Sequence, residues 1–163
     1  MRQTLGKTVI VACAALVLIP GGIAQAAPAK PAACSSSLRK AVLPVWARGG
    51  FSDHRPVMPH ALGRSGNIVA ILWADRNPLV SPPLADRNNK ILWVARLPWG
   101  YANLWIRAQR MVGTRNVGRP VSRVLQGGPG PSIVNLPAPG CWRLALRWSG
   151  RSDSVDLRYA ASP

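Results

Sequence analysis

Residues 141–148 read CWRLALRW. Trp142, Leu144, Leu146 and Trp148 fall on one side of a two-residue period, and Arg143 and Arg147 on the other. A strand with one buried face and one wet face produces this alternation. Residues 154–160 repeat it, with Val155, Leu157 and Tyr159 inward and Asp156 and Arg158 outward. The link Ser149-Gly150-Arg151-Ser152 is polar, short and contains glycine, which predicts a hairpin. On its wet face Asp156 is expected across from, or diagonal to, Arg143 or Arg147.

The preceding chain is punctuated in the same way, by short apolar runs between Gly, Pro and Asn. Strands are expected at 42–47, 67–74, 90–97, 102–111, 121–125 and 132–136. The first contains Pro44 and suits a sheet edge. The runs at 67–74 (NIVAILWA) and 90–97 (KILWVARL) are apolar on both faces and suit inner strands covered on both sides. In 102–111, Leu104, Ile106 and Ala108 share one face, and Trp105, Arg107 and Gln109 the other. Residues 48–66 carry four Gly, two Pro and both histidines, and read as a long irregular loop. About seven to eight strands predict an all-β antiparallel sandwich of immunoglobulin-like size, with a small closed barrel as the alternative.

The ILW triplet occurs twice, at Ile71 to Trp73 and Ile91 to Trp93, with ADRN after the first and before the second. A duplicated unit would preserve the order. The copies instead read as polar strand ends, where Asp and Asn bond nearby backbone in turns. If the two strands are antiparallel neighbours, Asp75, Arg76, Asp86 and Arg87 fall at the same end of the sheet.

The N-terminus reads as a targeting segment. Arg2 and Lys7 precede twelve apolar residues at 8–19, and Ala24-Gln25-Ala26 has the small-x-small form of a cleavage site. Cleavage is expected between Ala26 and Ala27. Twelve residues reach roughly 18 Å as a helix, short of the ~30 Å hydrocarbon core, so no membrane anchor is expected in the mature chain. Residues 27–40 then form a flexible leader, and 41–163 one domain. Cys34 and Cys141 remain after cleavage. In an exported protein such a pair most simply forms one disulfide.

Residues 131–144 (PSIVNLPAPGCWRL), the Leu157-Arg158-Tyr159 triplet and the run from Asn89 to Val94 (NKILWV) resemble small uncharacterised exported proteins of actinobacteria with an immunoglobulin-like sandwich. The resemblance covers about 67–160 and leaves out the basic loop at 48–66. It implies an exported sandwich domain and carries no catalytic residues across.

Enzyme constellations are thin. Asp53, His54 and His60 are the residues a small hydrolase would have to use, but Gly63-Arg64-Ser65-Gly66 lacks the closing glycine of a nucleophile elbow. The two histidines read as surface loop residues. With five acids, all Asp, paired-carboxylate chemistry is poorly served, and Asp153 and Asp156 read as turn and surface residues. The histidine spacing fits no metal-ligand frame, and no cofactor is expected.

The charge is the stronger signal. The chain carries 21 basic and five acidic residues, a formal net charge of +16. Such a surplus attracts polyanions: outside a cell, anionic wall polymers or lipid headgroups. The arginines are scattered along the chain, which argues against a specific nucleic-acid site. Of seven tryptophans, Trp73, Trp93, Trp142 and Trp148 read as core. Trp99, at a turn, and Trp105, alternating with Arg107, are the candidate exposed aromatics. The binding residues expected on these grounds are Arg76, Arg87, Trp99, Trp105 and Arg107. The expected protein is a monomeric, secreted, non-enzymatic binding or structural protein of the envelope. The alternatives are a small hydrolase, or an inhibitor or partner-binding module, built on the 48–66 loop.

Overall fold

The computed structural model describes residues 38–73, 79–86, 88–96 and 102–163. In chain order these form β1 (Leu38–Val42), a 3-10 turn (Val45–Ala47), β2 (Val57–Leu62), β3 (Ile68–Leu72), β4 (Leu79–Ser81), β5 (Lys90–Ala95), β6 (Leu104–Val112), β7 (Arg115–Leu125), β8 (Pro131–Ile133), β9 (Gly140–Trp148) and β10 (Arg151–Ala161). They make two five-stranded sheets, ordered β1-β2-β3-β5-β8 and β4-β10-β9-β6-β7. Every pairing is antiparallel except β4 with β10.

The expected hairpin is β9–β10. Its turn is shorter than the four-residue link suggested: Trp148 pairs with Arg151, leaving Ser149 and Gly150 between them. Both have positive φ, 41° and 71°, the conformation whose twist matches that of the flanking strands.

The inward sides of both sheets share one core. Ala61, Ile68, Ala70, Ile91 and Trp93 come from the first sheet, and Leu104, Ile106, Ala108, Trp142, Leu144, Leu146, Trp148, Val155, Leu157 and Tyr159 from the second. The arrangement is sandwich-like, with two separate sheets and no closed barrel. Each large side chain so buried contributes roughly 1.5–3 kcal/mol. Two of the polar tips inside find partners: Trp93 Nε1 donates to Ser132 Oγ at 3.0 Å and Tyr159 OH to the Val134 carbonyl at 2.8 Å.

β3 is apolar on both faces because its outer side is covered too. Val69 and Ile71 pack with Leu43 and Ala47, and Trp46, Phe51, Met58, Leu62, Leu92 and Val94 pack against this cluster. The segment between β1 and β2 therefore forms a lid of side chains on the first sheet.

Several expectations need correction. The early strand ends at Val42 and begins at Leu38, inside the segment read as leader; Pro44 turns the chain into the 3-10 turn instead. The region 48–66 is not all loop, since β2 occupies Val57–Leu62 and Pro59 faces β1 within it. His60 therefore sits in a strand and is fully buried, whereas His54 is exposed. The strand expected at 121–125 starts at Arg115 and runs along an edge of its sheet. Its exposed arginines and Pro120 hid it from a hydrophobicity pattern, and they are what keeps such an edge from pairing with other chains. Trp73 lies just past β3, half-exposed, stacked on Phe51 at 6.3 Å between centroids, with Lys90 Nζ 5.6 Å from its ring.

The ILW strands are antiparallel neighbours, with Leu72 opposite Ile91. Of the rim expected from their ADRN ends, Asp86 is exposed, and Asp75, Arg76 and Arg87 lie outside the described residues.

Candidate functional site

The outer face of the second sheet is built by four strands in register. Trp105 on β6 faces Val124 on β7 and Arg147 on β9, which in turn faces Ser152 on β10. The next rung carries Ser122, Arg107, Ala145 and Ser154. Opposed side chains in such a sheet lie roughly 4.5–5.5 Å apart at Cβ. Trp105 is 56% exposed. Ala145 and the serines are short, so the taller Trp105, Arg107 and Arg147 stand around a hollow. With Arg151 and the hairpin turn they line an open concavity of about 990 Å³ that reaches Trp148 at the edge of the core.

Among the described residues no acid lines this concavity. The nearest acidic rung is already neutralised. Asp156 pairs with Arg143 in register, and the two meet through Nε–Oδ1 at 2.9 Å and Nη2–Oδ2 at 3.0 Å. Arg64 adds a third bond to Oδ2 at 2.8 Å. Asp156 was expected to be a surface residue, yet it is 5% exposed, because these two arginines cover it. Burial by itself raises its pKa and is the largest single influence. The hydrogen bonds and charges of Arg143 and Arg64 together outweigh it and hold the carboxyl below the ordinary value. The same hydrogen bond raises Arg143. Among the described residues Arg107, Arg147 and Arg151 have no such acidic partner.

Asp153 was also read as a turn and surface residue and is instead a clamp. Its Oδ1 accepts the Ser65 and Ser154 N–H groups at 2.9 and 2.7 Å, and its Oδ2 accepts that of Asn67 at 2.9 Å. The β2–β3 turn is thereby fixed to β10. Asn89 does similar work at the other sheet junction. Its side chain accepts from Val80 N–H and donates to the Val80 carbonyl, both at 2.9 Å, standing in for a neighbouring strand.

Of the binding residues expected from sequence, Trp105 and Arg107 come together here. Arg76, Arg87 and Trp99 lie outside the described residues, as do Ala26, Ala27 and Cys34; Cys141 lies on β9. Sequence reasoning missed Arg147, Arg151 and Ser122 as partners of Trp105. The outward alternation of Arg147 was legible, but its placement beside Trp105 required the β6–β9 register.

Of the residues named for a hydrolase, His60 is buried with Nδ1 2.9 Å from the Met58 carbonyl, and Asp53 and His54 are exposed. Among the described residues no group of three or more His, Cys, Asp or Glu is placed to hold a metal. No helix there is long and apolar enough to cross a membrane. Comparison with known proteins gives no lead: no family model, no curated protein and no solved structure matches the chain.

Proposed function

We propose that this chain is a secreted, single-domain β-sandwich of immunoglobulin-like size that acts without catalysis as an envelope-associated binding or structural protein. Its signal-like N-terminus supports export, and its charge supports retention near anionic polymers. The observation that carries the reading is the outer face of the second sheet, where exposed Trp105 stands among Arg107, Arg147 and Arg151 with no acid among the described residues of the lining. A surface of one sign focuses its field outward and recruits polyanions in a salt-dependent way.

The test is retention on isolated cell envelopes. Release of the mature protein as salt rises from low to high concentration is the expected result. Retention that does not change with salt would remove the electrostatic basis of the reading.

A further inference from the structure

We propose that the Trp105 concavity is a subsite for one ring of an anionic glycan: a sugar stacked on the indole and carrying its carboxylate or phosphate between Arg147 and Arg107. The inference rests on the envelope-polymer reading and gives it a site. A merely basic surface needs no aromatic, and Trp105 is more than half exposed. Keeping a large apolar ring in water forgoes the stabilisation of burial, which suits a ring kept for contact. A sugar presents an apolar face of C–H groups to such a ring.

The charges are placed to serve the same ligand. Arg147 stands opposite Trp105 across the β6–β9 pair. Arg107 is two residues along β6 on the same face, about 7 Å away. Their guanidinium groups lie within reach of an anion borne by the stacked ring itself, and offer the paired donors that suit carboxylate and phosphate oxygens. Ser122 and Ser152 stand at the ends of the two rungs, where their hydroxyls can meet sugar hydroxyls. Trp148, which lines the same concavity, has a buried indole N–H without a hydrogen-bond partner. Ala145 leaves the floor low enough for a ring to enter.

Single-stranded nucleic acid would also combine rings with anions. Its binding surfaces stack successive bases on several aromatics, whereas the two rungs described here hold one, Trp105. The anionic glycan is the better match.

The experiment is calorimetric titration of the intact mature protein at fixed moderate salt with four probes. These are a short oligogalacturonate, a phosphorylated mannan oligosaccharide, inorganic polyphosphate of matching charge and a single-stranded oligonucleotide. At least one charged glycan should bind more tightly than polyphosphate, and the pair of them shows whether carboxylate or phosphate is preferred. Trp105→Ala should weaken glycan binding about tenfold while leaving polyphosphate binding unchanged, and Trp105→Phe should restore most of it. Arg147→Gln should weaken every anionic probe. Equal binding of glycans and polyphosphate, both indifferent to Trp105→Ala, would overturn the subsite and leave the general anion reading standing. Tightest binding of the oligonucleotide would likewise overturn it. Binding of none of the probes would overturn both. Trp105 is exposed, so its variants are expected to fold; far-ultraviolet circular dichroism checks that.

Discussion

Asp156 and Arg143 stand opposite each other on β10 and β9 and are joined by two parallel hydrogen bonds of 2.9 and 3.0 Å. The carboxylate is nearly buried, while the Arg143 and Arg64 side chains remain 38% and 56% exposed. Water therefore screens the cations far more than the anion. Asp156→Ala is expected to destabilise the fold by about 1–2 kcal/mol, less than for a fully buried pair, because the orphaned arginines can rehydrate.

The pair also sets a pH dependence. The folded carboxyl titrates below its unfolded value of 3.8. Its stabilisation is thus fully present above that value and disappears as pH falls through the lower folded value. Urea unfolding of wild type and Asp156→Asn should differ at neutral pH and converge in strong acid. A difference that persists unchanged in acid would refute the role given to the charge.

Gly63 and Asp153 exclude any larger residue between them. A Cβ on Gly63 would fall 2.2 Å from Asp153 Oδ2, and Asp153 is held there by three backbone N–H groups. Gly63→Ala is expected to cost about 1–3 kcal/mol through displacement of the carboxylate. Asp153→Ala should cost a similar amount through lost acceptors. In the double variant the clash is gone, so the combined cost should fall clearly below the sum. Additive costs in a denaturation cycle would show that the two residues act independently.

Cys141 lies on β9 between Gly140 and Trp142, opposite Met111 on β6. A bridge to Cys34 would close a loop of roughly 100 residues and contribute up to about 4–5 kcal/mol in the chain-entropy model. Alkylation of the denatured protein should add label only after reduction, detected as a mass increase on both cysteines. Labelling of the native, unreduced protein at Cys34 and Cys141 would refute the bridge.

Strand identity was legible wherever one face was apolar and the other polar. The alternation of β9, β10 and β6 follows from side-chain period alone, and the Arg143–Asp156 pair follows from a hairpin whose turn names itself. The doubly apolar β3 also announced a covered strand. What covered it, Leu43 to Phe51, was not legible, because a lid of irregular backbone has no period.

The remaining misses share a cause. β7 is exposed on most of its length, and β2 carries Pro59 and His60, so neither shows the contrast that pattern reading needs. Asp156 and Asp153 were polar and therefore read as wet. Each is buried with help from partners 86 to 92 positions away in sequence, and no local signal records such partners. By itself the sequence determined the periods, the turns, the charge and the exposure of Trp105. Only the tertiary structure decided which strands are neighbours. Register is a choice among long-range pairings, set by packing of the shared core, and it is register that places Arg147 beside Trp105.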